Sequence, residues 1–218
     1  MSFASVRSAN PIHEKRRNVS AMVDIAKDHN TALQTPASPV RPPGRRPTAP
    51  AAVGDRSAAA ARYLLAGIRL ALGFVFLWAF LDKAFGLGHD TASAKAWIHG
   101  GSPTKGFLGS AAKGPFEGFY HSLAGTGFAD VMFMAALLAI GVALMLGIGM
   151  RIATVAGAVL VVLMWSAVLP PANNPFMDDH LIYAGVLLLL GLLGAGNTLG
   201  LGRMWTATPL VRRNPWLA

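Results

Sequence analysis

Four apolar runs decide what this chain can become. They are YLLAGIRLALGFVFLWAFL (63–81), VMFMAALLAIGVALMLGIGM (131–150), IATVAGAVLVVLMWSAVL (152–169) and LIYAGVLLLLGLLGAGNTLGLG (181–202). Each is near the ~20 residues that a helix needs to cross ~30 Å of hydrocarbon. Backbone polar groups in lipid must be satisfied within their own segment, so each run predicts a helix. The expected fold class is all-α, an integral membrane four-helix bundle over 63–202 with interfacial helices in the first outer loop. A disordered basic N-terminal tail (1–62) precedes it and a C-terminal tail (203–218) follows.

Charge supports that division. Of the 218 residues 13% are charged, against ~25% in a soluble domain, and nearly half of these charges precede Tyr63. The Pro-, Ala- and Arg-rich stretch QTPASPVRPPGRRPTAPAAVG (34–54) has too little apolar surface to offset its ordering entropy. A short helix near SAMVDIAKDH (20–29) is compatible with it. The net charge is +9, concentrated in the tail. No aromatics are interleaved there to stack bases, so anionic lipid is the expected partner and nucleic acid is not. Basic residues in the tail, at Arg151 and at Arg203, Arg212 and Arg213 place both termini on the cytoplasmic side of the plasma membrane. The connection 82–130 and the acidic link at 178–179 then lie outside. In that connection, TASAKAWIHG and PFEGFYHSLAG are expected as amphipathic helices in the outer interface, with Trp97, Phe116, Phe119 and Tyr120 at headgroup level.

The chain has no cysteine, which excludes disulfide exchange, iron–sulfur ligation and thiolate zinc. GAGNTLG (194–200) has glycines but not the spacing or the preceding strand of a dinucleotide loop. Helix packing explains those glycines better. His121 and His180 are rim histidines, whereas haem in a bundle usually takes histidines from within spans. Asp178, Asp179 and His180 lack the i, i+4 spacing of two ligands on one helix face. No metal, haem or flavin site is expected.

Two places carry chemistry. On a helical wheel Arg69, Gly73, Phe76, Phe80 and Lys83 share a face of the first span. An arginine at the depth of Arg69 costs roughly 2–3 kcal/mol unless it is paired or snorkels. It either snorkels to the cytoplasmic headgroups or faces the bundle to bind a polar ligand or a partner helix, with Asn197 as the expected contact. At the outer rim Asp82, Lys83, Asp130, Trp165, Asp178, Asp179 and His180 converge at one depth, and Trp78 lies a turn below Asp82. A pocket walled by Trp78 and Trp165 and rimmed by such groups suits a quinone headgroup that exchanges protons. One aspartate of NNPFMDDH is accounted for as the N-cap of the fourth helix. His180 and the second carboxylate are not. Capping alone and capping with a functional site both stand.

RLALGFVFLWAFLDKAFGLG (69–88) is similar to the opening signature of the DoxX/DoxD family: an arginine, a glycine a turn later, then aromatic and apolar residues leading to a lysine. The Gly–Met–Arg turn after the second span and NNPFMDDHLIYAGVLLLL also resemble that family, over roughly 63–202. The resemblance implies a membrane subunit of a quinone-linked oxidoreductase of the thiosulfate:quinone type. On this reading quinone is the acceptor at Arg69, Trp78 and Trp165, and Lys83 draws in an anion such as thiosulfate. Asp178, Asp179 and His180 handle protons. No side chain here can hold an electron, so a second subunit or a soluble redox protein is an expected partner, and homo-oligomerisation stays open. The competing reading is a non-catalytic anchor or assembly factor for a redox or respiratory complex. A coupled transporter is disfavoured, because the second and third runs carry no ionisable residue.

Overall fold

The computed structural model of the protein describes residues 51–172 and 174–218. The helix expected near SAMVDIAKDH and most of the expected disordered tail fall outside these residues. Among the described residues every regular element is helical.

Three helices are long and apolar enough to cross a membrane: α1 (Ala51–Phe85), α3 (Gly127–Leu146) and α4 (Met150–Ala167). The short α2 (Glu117–Leu123) lies in the long connection between α1 and α3. A shorter apolar helix, α5 (Asp179–Leu192), follows α4. Two one-turn helices close the chain, α6 (Gly202–Thr206) and α7 (Pro209–Arg213).

α1 begins at Ala51 instead of Tyr63, because AAVGDRSAAAAR is rich in alanine, the best helix former. Residues 51–62 therefore belong to the helix and not to a disordered tail. α3 starts where the Thr126 side chain accepts from the Ala129 N–H at 3.3 Å, and it stops four residues before the end of its apolar run. Gly147 and Gly149 take positive φ there (73° and 55°) and make the turn into α4, a conformation open to glycine without steric cost. Pro170 and Pro171 follow the end of α4, as expected.

The helices pack as two antiparallel pairs, α1 on α3 and α4 on α5, joined through α3 against α4. At the first crossing a Cβ on Gly141 would stand 2.7 Å from the Leu77 nitrogen, and one on Gly73 would stand 3.0 Å from the Leu144 Cβ. Glycine is what lets these two backbones approach, the usual device where lipid supplies no hydrophobic drive between helices. The core runs through Leu72, Phe76, Met134, Leu137, Ile140, Leu144, Val161, Leu187 and Leu190. The wheel face predicted for α1 is the inner one: Arg69, Gly73 and Phe76 are buried and Phe80 packs on the core.

The fourth run differs most from expectation. It is helical for 14 residues, to Leu192, not to Gly202. Gly194 adopts φ 61°, and a single 3₁₀ turn over Ala195–Asn197 turns the chain against α1, with Gly196 close to the Gly147 backbone. A hydropathy window scores leucine and glycine alike as compatible with lipid and cannot register this break.

The connection between α1 and α3 is folded as well. TASAKAWIHG forms two 3₁₀ turns, Ser93–Lys95 and Trp97–His99, separated by an extended Ala96. PFEGFYHSLAG contains α2, as expected, and Tyr120 is buried within the protein. Its hydroxyl is 2.5 Å from Ser166 Oγ and donates to the Leu163 carbonyl at 3.1 Å. The Lys113 N–H donates to the Ala167 carbonyl at 2.9 Å, strapping the connection to the end of α4.

Candidate functional site

Both carboxylates expected at the rim near α1 and α3 are buried and occupied. Asp82, 2% exposed, accepts from the backbone N–H of His89 at 3.2 Å and of Thr91 at 2.8 Å. The chain leaving α1 is thereby held against its own last turn. Asp130 Oδ1 accepts from Ser102 Oγ (2.9 Å), Thr104 N (3.0 Å) and Thr104 Oγ1 (2.6 Å). Hydrogen bonds of this kind to a charged acceptor are worth about 1.5–3 kcal/mol each, so these two aspartates act as loop staples. Nothing in the sequence marks Ser102 and Thr104 as the partners of Asp130, since 26 residues separate Thr104 from it.

Lys83 lies 3.9 Å from the exposed Asp90 carboxylate, an ion pair of small energy at a surface. Trp78 stacks with Phe74 (centroids 5.9 Å apart) and meets the His89 ring edge-on at 5.2 Å. Trp165 meets the ring of Phe176 edge-on at 5.1 Å and donates its indole N–H to the Phe176 carbonyl at 2.8 Å. Among the described residues no ring contact joins Trp78 to Trp165. Trp78 stands on α1 between Phe74 and His89, and Trp165 stands on α4 against Phe176.

The stretch before α5 is assembled from its own side chains. Asn174 Oδ1 accepts from the N–H groups of Phe176 and Met177, both at 3.0 Å, and so makes the turn. Asp178 is the N-cap: its Oδ1 accepts from His180 N at 3.1 Å and Leu181 N at 3.4 Å. Its Oδ2 lies 2.8 Å from His180 Nδ1. With Nδ1 donating to the carboxylate, Nε2 remains as the imidazole's acceptor. Asp179 is exposed, and its Oδ1 stands 3.6 Å from the same Nδ1. One side-chain N or O atom from each of Asp178, Asp179 and His180 lies within 4.8 Å of the other two. Asp178 thus caps the helix and orients the imidazole together. Cap and dyad are one structure.

Arg69 is fully buried, away from this rim. Its Nη1 donates to the carbonyls of Leu144 and, at 3.0 Å, Met145. Its Nη2 donates to Thr198 O at 3.4 Å and Leu199 O at 2.9 Å. The first two acceptors are among the carbonyls that the end of α3 cannot satisfy internally, and the negative end of that helix favours a cation. Asn197, the expected partner, is exposed, and its neighbours' backbone takes the guanidinium in its place. The choice between snorkelling and facing the bundle falls to the bundle. What Arg69 meets there is backbone, not a ligand. Nε is its one buried nitrogen without a partner.

No known family model, no curated protein and no solved structure matches this chain.

Proposed function

We propose that this is a four-helix membrane protein of DoxX type that serves as the membrane subunit of a quinone-linked oxidoreductase. The observation that carries the reading is the 2.8 Å contact between Asp178 Oδ2 and His180 Nδ1, beside the Trp165–Phe176 pair. A carboxylate that fixes an imidazole makes Nε2 a directed proton acceptor and donor, and the neighbouring rings offer an apolar face to a quinone headgroup. Reducing a quinone to a quinol takes two electrons and two protons. A reduced sulfur anion, or a partner oxidising one, supplies the electrons on this reading, and the dyad relays protons. The chain has no cysteine to carry electrons, so donor and quinone touch directly or a second subunit intervenes.

Thiosulfate-dependent quinone reduction in native membranes, with and without the gene for this chain, tests the proposal. Loss of the activity on deletion and on His180→Asn supports it. Activity unchanged by deletion sinks it.

A second reading, an anchor or assembly factor, is favoured by a specific observation. Arg69, Asp82 and Asp130 are all committed to holding backbone, which suits a scaffold that presents folded loops to a partner. Membranes in which deletion removes a partner complex but spares quinone reduction would identify that role.

A further inference from the structure

At the end of the bundle opposite the dyad, the last residues fold back onto the start of α4. The Arg151 N–H donates to the Ala218 main-chain oxygen at 3.1 Å, and Arg151 Nη1 donates to the Pro215 carbonyl at 3.1 Å. The Trp205 indole donates to the Leu217 carbonyl at 2.7 Å. These bonds seat Trp216 beside the first turns of α4 and leave a groove of about 360 Å³ lined by Arg151, Ile152, Val155, Ala156 and Trp216. Its walls are almost wholly apolar, and Arg151 is the charged residue among those that line it. Ile152, Val155, Val159, Val162 and Leu163 are all exposed. The groove is therefore continuous with the outward face of a helix long and apolar enough to cross a membrane.

We infer that this groove binds one anionic phospholipid, with an acyl chain lying against Val155 and Trp216 and the phosphate on Arg151. Continuity with the outward face of α4 selects a lipid tail, which reaches the groove without leaving hydrocarbon. Charge selects the headgroup. Arg203, Arg212 and Arg213 lie in the same closing segment, and from residue 131 onward the acidic residues are Asp178 and Asp179, at the opposite end of the bundle. Trp216, 62% exposed, has the amphipathic ring that settles at headgroup depth.

The inference rests on α4 crossing a membrane, and one preparation separates the two questions. Full-length protein is reconstituted into vesicles of equimolar phosphatidylglycerol and phosphatidylcholine, floated on a density gradient, extracted in mild detergent and weighed with its retained lipids by native mass spectrometry. Co-flotation with about fivefold enrichment of phosphatidylglycerol, the scale expected for one cation at a lipid surface, supports the site. Arg151→Gln should bring the enrichment to about one. Because that change also loses the Pro215 bond, Val155→Trp provides an independent check: it fills the groove without altering charge and should lower retention of both lipids. Equal retention of the two lipids by the unaltered protein overturns the lipid site while leaving the membrane reading intact. So does undiminished retention in Val155→Trp, or a dimer that disulfide-links through Val155→Cys. Failure to float overturns both.

Discussion

Arg69 Nη2 and the carbonyl oxygen of Leu199 are 2.9 Å apart across 130 residues of chain. The bond joins the middle of α1 to the loop that replaces the end of the fourth apolar run. Leu199 has φ 51°, a left-handed conformation that costs a non-glycine residue roughly 1–2 kcal/mol. Strain of that size persists where surrounding bonds over-determine it, and the guanidinium is such a bond.

Replacing Arg69 with leucine should therefore destabilise the protein by on the order of 3–5 kcal/mol, since the buried Leu144 carbonyl and up to three part-buried ones lose their donor. Arg69→Lys should fall between, because an ammonium is a compact charge without the planar fork that spans two chain segments. Thermal unfolding in detergent, followed by size exclusion, gives the ranking. Equal stability of Arg69→Leu and the unaltered protein would refute the staple.

Leu199→Gly should leave stability unchanged or raise it by about 0.5–1 kcal/mol. The side chain is 64% exposed and glycine adopts this φ freely, although its greater unfolded-state entropy takes back part of the gain. The same unfolding measurement reads the effect. A loss above 1 kcal/mol would show that the leucine side chain itself is needed.

Asp130→Ala should release the segment around Ser102 and Thr104 while α3 stays helical. The readout is limited proteolysis, with new cleavage expected at Lys105 and Lys113. Asp130→Asn keeps an acceptor for Thr104 and should be cleaved more slowly. Protection equal to that of the unaltered protein in Asp130→Ala would remove the staple assignment.

The dyad and the cap can be separated. Asp178→Asn retains an N-cap and should cost only a few tenths of a kcal/mol in stability, yet it loses the charged partner of His180 and should lower any quinone reductase activity at least tenfold. Asp178→Ala loses both and should cost about 1 kcal/mol. Asp179→Asn, at an exposed position 3.6 Å from the imidazole, should have the smaller effect on turnover. Activity that follows helix stability and not the dyad would reduce NNPFMDDH to a capped turn.

The elements readable in advance are those with side-chain signatures. Apolar runs mark α1, α3 and α4, Pro170 and Pro171 mark the end of α4, and the acid before LIYAGVLLLL marks the cap at Asp178. What escaped reading depends on backbone. The partners of Arg69 are four carbonyls and those of Asp82 are two N–H groups, and every residue except proline carries both kinds of group. Trp78 and Trp165 each lie near the same end of their helices, but depth along a helix does not say that His89 or Phe176 is the ring each one meets. The role of Asp178 toward His180 was half visible: the cap has a known sequence form, while the side-chain bond depends on the imidazole's rotamer.

The early end of α5 has a consequence for how lipid meets that flank. Fourteen residues rise about 21 Å, short of the ~30 Å that a bilayer presents, and a bare helix of that length would force the membrane to thin around it. Leu192, Leu193, Leu199 and Leu201 are nonetheless exposed at 85%, 57%, 64% and 44%, on either side of the fold-back. The greasy coat thus outlasts the helix beneath it. Leucine cover on this flank continues from the end of α5 onto a loop whose Thr198 and Leu199 carbonyls Arg69 holds from within.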